Sequence, residues 1–392
     1  MMPGDLVRIG DFCQTGSGIT PSRSEMARYY EGGKTPWVKS GELRETVIHK
    51  TEENITDDAL KETNIKLVQP GAILLAMYGA TVGRLGILGV PATTNQAVCH
   101  IIPAPELADT RYVFHALLAQ VSRITAKGVG GAQPNISQGV IKDLLVYLPS
   151  LVAQKRIAAI LDKADALRAK RRKALEQLDA LAQAIFIEMF GDPVTNPMRW
   201  GVASCDELCS RVTVGIVVQP ASYYQPSGVP ALRSLNIKSN KFDLSELVYF
   251  SAADNEALSK TRVWAGDVVV VRSGRPGTAA VVSRELDGVN AIDILIASPK
   301  SDLLSGEYLS FFMNSNAGKR LVLGEERGQI QKHLNAGSLK KAEIPVPPIE
   351  LQEKFVRRLK SLEESKVVLE KSALELDALF SSLQHRAFRG EL

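Results

Sequence analysis

The sequence predicts an α+β fold used twice. Two similar globular domains are separated by two long helices that pair as an antiparallel coiled coil, in a pseudo-two-fold arrangement. Three observations predict it. The 392-residue chain matches itself in unbroken order at an offset that drifts only from 194 to 198 residues. Each half closes on about forty residues without a glycine or a proline. Between those stretches, short β-type runs alternate with short helical ones.

The first domain is expected over residues 1–150. ILLAMY from Ile73 is short, apolar and bounded by glycine, as a buried strand should be, and TRYVFHALLAQV from Thr110 reads as a helix. Residues 191–348 repeat the pattern, with VVVV from Val268 as strand and GEYLSFFMN from Gly306 as helix. The internal matches tie the two together. At 194 residues, Tyr29-Tyr30 falls on Tyr223-Tyr224, Pro36 on Pro230, and Val38-Lys39-Ser40 on Leu232-Arg233-Ser234. At 195, GAILLAMYG from Gly71 meets GDVVVVRSG from Gly266, and Asn95 meets Asn290. At 198, Gln133 meets Gln331, and LPSLVAQKRI from Leu148 meets VPPIELQEKF from Val346.

The spacer helices are expected at 151–190 and from 349 into a tail ending at 392. Both segments are rich in Ala, Leu, Lys, Arg and Glu and begin just after Pro149 and Pro348, where a helix start is favoured. Forty residues make a rod of about 60 Å. In the second helix Phe355, Leu362, Leu369, Leu376 and Leu383 are seven apart, with Lys366 interrupting the interleaved row of Leu359, Ala373 and Phe380. In the first, Ile160, Leu167, Ala174 and Leu181 form one row, and Ile157, Ala164, Leu178 and Ile185 its partner. Ile160, Leu167, Leu178, Leu181 and Ile185 are the expected interface on that side. Such heptads mark a coiled-coil seam. The two helices can bury each other, the alternative being that each seeks another protein.

Net charge is +4, too small to announce a nucleic-acid binder by itself. The two globular segments are nearly neutral, whereas the first helix carries 8 basic against 5 acidic residues, chiefly in RAKRRK from Arg168. No membrane-spanning segment and no signal peptide are legible. Four cysteines are too few for a disulfide scaffold, so a cytoplasmic setting is expected.

Catalytic constellations are missing. There is no GxxxxGK[ST] loop, since GSG from Gly16 and GVGG from Gly128 lack the lysine, and there is no GxGxxG in a Rossmann frame. Cys205 and Cys209 have no second ligand pair for zinc, and Cys13 and Cys99 read as small core residues. His49, His100, His115, His333 and His385 are scattered. Asn196-Pro197-Met198-Arg199 lacks the second proline and aromatic of a base-methylating motif. Asp267, Asp287 and Asp293 lack a nuclease-type acid-x-lysine pair. The chain is expected to hold no metal or cofactor and to do no chemistry itself.

Recognition remains. Two similar heads on a rigid spacer suit double-stranded DNA, where half-site spacing rewards fixed separation. Candidate readers are polar or basic side chains beside glycine: Lys39, Ser40, Tyr78, Thr81, Arg84, Gln133 and Asn135 in the first half. In the second half they are Arg233, Ser234, Asn236, Arg272, Ser273, Arg275, Thr278, Gln331 and His333. Arginine is suited to two-point contacts with guanine, and Asn or Gln to adenine.

The proline-to-helix junctions (LPSLVAQKRIAAILDKADAL from Leu148, VPPIELQEKFVRRL from Val346), the IFIEMFGDP that closes the first helix and the terminal AFRGEL carry a family likeness. In these features and in layout the whole chain resembles type I restriction–modification system DNA specificity subunits. The resemblance implies that each target recognition domain reads one part of a split, asymmetric target while the coiled coil sets the spacing. It also implies two methyltransferase (modification) subunits using S-adenosylmethionine to methylate adenine at N6. Two restriction/translocase subunits using ATP and Mg would cut unmodified DNA. None of those active sites would lie on this chain. The alternatives are a specificity subunit serving a combined restriction-and-methylation enzyme, and a coiled-coil scaffold without sequence-specific DNA binding. The chain is compact for the family, so loops of its recognition domains are expected to be trimmed.

Overall fold

The computed structural model describes residues 5–126, 135–326, 329–330 and 333–392. It divides into two compact units, one of Met1–Arg172 with Lys371–Leu392, the other of Lys173–Glu370. Each unit therefore takes part of each long helix, so the packing boundaries fall inside the helices and not at their ends.

In the first unit a five-stranded sheet runs in the order Cys13–Ser17, Val98–Pro103, Ile73–Ala76, Leu85–Leu88, Val47–Ile48. Its central strand ILLA is buried at every position, with Ile73 opposite Ile87 on one side and Ile101 on the other. A strand covered on both faces reads as a continuous apolar run. A small sheet of Glu53–Ile55, Thr35–Val38 and Thr93–Thr94 stands beside it, and Asp5–Arg8 pairs antiparallel with Leu145–Leu148. The helix Thr110–Leu118 is capped by the Asp109 carboxylate, which accepts from the Tyr112 N–H at 3.0 Å.

The second unit repeats the first four of these strands in the same order: Cys209–Val214, Ile294–Pro299, Val268–Val271, Ala279–Val281. Its small sheet is Val248–Phe250, Val229–Leu232 and Asn290–Ala291, and Gly201–Ser204 pairs with Glu343–Val346. The duplication extends to single hydrogen bonds. Tyr112 donates to the Tyr147 carbonyl at 2.6 Å, and Tyr308 to the Pro345 carbonyl at 2.7 Å. Gln154 is fully buried; its amide donates to the carbonyls of Leu107 and Pro149 and accepts from the Asp109 N–H. Gln352 does the same with Leu303, Pro347 and Ser305. Gly18 and Gly215 are required at matching crossings, where an added Cβ would lie 1.9 Å from the Thr94 oxygen and 2.2 Å from the Ala291 oxygen.

These bonds correct one detail of the internal alignment. The Asn95 N–H donates to Val38, and the Ile292 N–H donates to Leu232. Asn95 therefore corresponds to Ile292, and Asn290 to Thr93.

The long helices span Leu151–Phe190 and Ile349–Ala387. In the first unit Ile157, Leu161 and Ala164 share a core with Phe380 and Ala387, while Arg168 stacks 4.3 Å from the Phe380 ring centroid and pairs with Asp377 at 2.5 Å. Arg172 also reaches Asp377, so part of the basic run holds helix to helix. In the second unit Phe355 lies against Phe186 and Phe190, and Arg358 faces Glu188. On the second helix Phe355 is fully buried, and Leu362, Leu369, Leu376 and Leu383 lie on the half-buried stripe. On the first helix Ile185 packs on the core of the second unit, and Ile160 and Leu178 are half-buried. Leu167 and Leu181 were expected inside, but they are 51% and 44% exposed. The buried stripe follows Ile157, Leu161 and Ala164, because Arg168 turns its stem inward to stack on Phe380 and so leaves Leu167 outside.

One buried ionic cluster gives the first unit a pH dependence. His115 is 1% exposed, and its Nε2 meets Asp162 at 2.7 Å, a carboxylate also held by Arg111. Burial pulls the His115 pKa below its ordinary 6.5 despite the nearby carboxylate. Burial alone would raise Asp162, but the hydrogen bonds from Arg111 and His115 outweigh it and hold the group below 3.8. With His115 depressed in the fold, the unfolded chain takes up its proton first. That contribution to stability is complete above about pH 6.5 and declines as pH falls toward the folded value. His100, lowered chiefly by burial, acts in the same direction. His115→Phe, copying Phe311 at the matching site of the second unit, is expected to reduce the loss of stability between pH 6.5 and 5, leaving the His100 share. Urea denaturation across that range checks this, and an unchanged pH slope would contradict it.

Candidate nucleic-acid interface

The loop that leaves the central strand of each unit presents the candidate readers. In the second unit it runs from Arg272 through Gly274 and Gly277, both at φ +80°, to Thr278. Arg272 Nη1 lies 2.6 Å from the Asp293 carboxylate, and its Nη2 is 3.2 Å from His333 Nε2. A guanidinium cannot accept a hydrogen bond, so His333 accepts at Nε2 and carries its proton on Nδ1. That Nδ1 lies 2.8 Å from the Ser273 hydroxyl. Arg272, Ser273, Asp293 and His333 thus form one polar cluster. Arg275 is exposed and donates to the Ile237 carbonyl at 3.3 Å, which links this loop to the turn holding Arg233, Ser234 and Asn236.

Two candidates of the second unit are corrected. Asn236 is fully buried; its amide donates to the carbonyls of Asp243 and Glu246 and accepts from the Arg233 N–H. Thr278 is 4% exposed. Neither offers a free edge to a base, and Asn236 instead braces the turn that carries Arg233 and Ser234. Arg233 itself donates to the Glu246 carbonyl at 2.9 Å.

In the first unit the loop after Ile73–Ala76 places Tyr78, which is exposed, and Thr81, which is half-buried, ahead of Arg84. Arg84 makes a two-point pair with Glu45, at 2.6 and 2.9 Å. Lys39 bridges Glu52 and Glu53, both at 2.9 Å. Hydrogen bonds from Arg23 and then Lys39 hold the Glu53 carboxyl down to about 2. Ser40 opens a short 3-10 turn, and Asn135 is exposed. Gln133 and Gln331 lie outside the described residues.

Glu45, Glu52 and Glu53 were not singled out in the sequence, and Asp293 only as part of a rejected nuclease-type cluster. Glu45 and Asp293 both adopt left-handed backbone, at φ 56° and 49°, and each holds the foremost arginine of its unit. The signal available was the near-equality of acidic and basic residues in both globular segments. Arg84 and Glu45 are 45% and 33% exposed, so that pair meets solvent, whereas Arg272 is only 16% exposed beside a half-exposed Asp293. Solvent-facing pairs contribute about 0–1 kcal/mol, so an incoming base or phosphate can compete for Arg84 at little cost.

Elsewhere the chemistry is plain. Cys13 and Cys99 are buried in the first core. Cys205 and Cys209 lie 3.8 Å apart in the second, and their hydrogen bond together with burial pushes the Cys205 thiol up. Among the described residues, no group of three or more His, Cys, Asp or Glu is placed to hold a metal ion, and no helix is long and apolar enough to cross a membrane.

Comparison with known proteins gives one consistent picture. Residues 5–177 and 237–376 match the family model described as the type I restriction modification DNA specificity domain. The chain is 24% identical over 417 residues to the type I restriction enzyme MjaIX specificity subunit of Methanocaldococcus jannaschii, covering 99% of this chain and 93% of that one. It is 25% identical over 331 residues to the EcoBI specificity subunit of Escherichia coli, covering 77% and 70%. Among solved structures it resembles a chain from a study of type I R-M system assembly, with TM-score 0.65, 17% identity and coverage of 100% and 98%. It also resembles the type I restriction-modification S subunit of M. genitalium, with TM-score 0.55, 15% identity and coverage of 99% of each chain.

Proposed function

The chain belongs to the type I restriction modification DNA specificity family, and from that premise we propose that it is the non-catalytic DNA-reading subunit of a restriction–modification complex. Each globular head reads one half of a bipartite, asymmetric target. The two long helices act as an antiparallel coiled-coil spacer that sets the gap. Two methyltransferase subunits supply S-adenosylmethionine chemistry at adenine N6, and two translocating nuclease subunits supply ATP-dependent cleavage with Mg. The observation that carries this reading is that the family model matches both halves of a chain whose two units share one strand order.

Recognition falls to Arg84 with Tyr78, Thr81 and Lys39 in the first head. In the second it falls to Arg272, Ser273, Arg275, Arg233 and His333. Arg272→Ala and Arg275→Ala are expected to weaken binding unevenly across a panel of target variants, by about 1–3 kcal/mol at the base each one reads. A uniform loss on every sequence would make them phosphate contacts instead. Methyl transfer by the purified chain alone would overturn the non-catalytic assignment.

A further inference from the structure

The two units are not equivalent where the long helices end against the globular parts. In the second unit Phe186 is fully buried in a stack of rings, and Phe312 is fully buried in the same core. The positions matching them in the first unit, at the 198- and 196-residue offsets, are Gln384 and Ala116. Two rings are thus missing, and a pocket of about 370 Å³ stands in the first unit. That volume lies within the roughly 300–1,000 Å³ of small-ligand sites.

Its chemistry is one-sided. The wall mixes the apolar Leu6, Val146 and Phe388 with the polar Gln120, Tyr147 and Ser381, while the exposed Arg123, His385 and Arg389 line the rim. No carboxylate is among the described residues that line it, and Arg123 and Arg389 form no ion pair with any described residue. Nε2 of Gln384 is buried without a hydrogen-bond partner. A buried donor left unmade is destabilising, a cost that an acceptor entering the pocket would recover. Ile187, at the position matching His385, is apolar, so the polar set belongs to the first unit alone.

We propose that this pocket binds a phosphate ester. The two guanidinium groups take the phosphate oxygens in forked fashion, the Gln384 amide donates from the floor, and the organic part lies on Phe388 and Val146. The ester is either a DNA backbone phosphate or a free nucleotide. The second source stands apart from the DNA-reading proposal, whereas the first rests on it.

The test uses the full chain, Arg123→Gln/Arg389→Gln and Gln384→Phe. The last variant fills the space with the ring that the second unit already carries, and leaves both arginines in place. Adenosine 5′-monophosphate and inorganic phosphate are titrated by calorimetry, and the affinity for a DNA duplex is measured against salt. For a free nucleotide, the monophosphate binds the unaltered chain and both variants weaken it about tenfold or more, with the DNA salt slope unchanged. For a DNA phosphate, the slope falls by about 1 in both variants while sequence preference persists. The proposal is overturned if neither variant changes either readout. It is also overturned if only the arginine variant does, since the charges would then act from the surface with the pocket empty.

Discussion

Inserting four residues into each long helix, after Arg172 and after Glu370, is expected to move the preferred gap of the DNA target and leave both half-sequences unchanged. Four residues lengthen a helix by about 6 Å. Base pairs rise about 3.4 Å along the axis, so the gap should grow by one or two pairs. The insert turns the apolar stripe by only about 40°, which the half-buried leucines of the second helix can absorb. Specific sites are held roughly 10³–10⁷ times more tightly than random DNA. A spacer that no longer lets both heads engage forfeits much of that margin, so the original target should lose about a thousandfold. The lengthened target should return to within about tenfold of the starting affinity. If the original gap remains the best one, the helices do not set the spacing.

Phe355→Ala is expected to cost the second unit about 3–5 kcal/mol, the range for removing a buried phenyl ring. Phe355 is fully buried, with ring centroids of Phe311, Phe190 and Phe186 at 5.2, 5.3 and 5.6 Å. Phe186 and Phe190 lie on the first long helix and Phe311 on the helix Gly306–Asn314, so collapse around the cavity would have to move several elements at once. Phe355→Ile, copying the buried Ile157 at the matching position of the first unit, should cost less. Urea denaturation monitored by near-ultraviolet dichroism checks both, and a loss below about 1 kcal/mol for the alanine variant would show that the aromatic stack is not the anchor inferred here.

The long helices were readable because a forty-residue run free of glycine and proline has few alternatives to a helix, and its first residue, Leu151, was fixed by Pro149 just upstream. The inward row of the first helix was not. Leu at 161, 167, 178 and 181 puts apolar groups on more than one face, and only the partner helix, through Phe380, selects among them. The reading loops were located by their glycines, but their wiring was hidden. Arg272 is tied to Asp293 and His333, and Arg84 to Glu45, across stretches that no local spacing links. Asn236 illustrates the same limit: its residue type suits adenine, yet it is spent on two backbone carbonyls. The pocket beside Gln384 was hidden because it arises from two differences between repeats, Ala116 for Phe312 and Gln384 for Phe186.

The central claim is that two heads on one chain read two separated half-sequences at a fixed gap. Mapping methylated adenines across a genome, after co-expressing the chain with its methyltransferase partner, tests it most directly. The proposed function predicts a single split, asymmetric motif, with one methylated adenine in each half and an invariant number of unread positions between them. A contiguous motif, a variable gap, or methylation indifferent to sequence would contradict it.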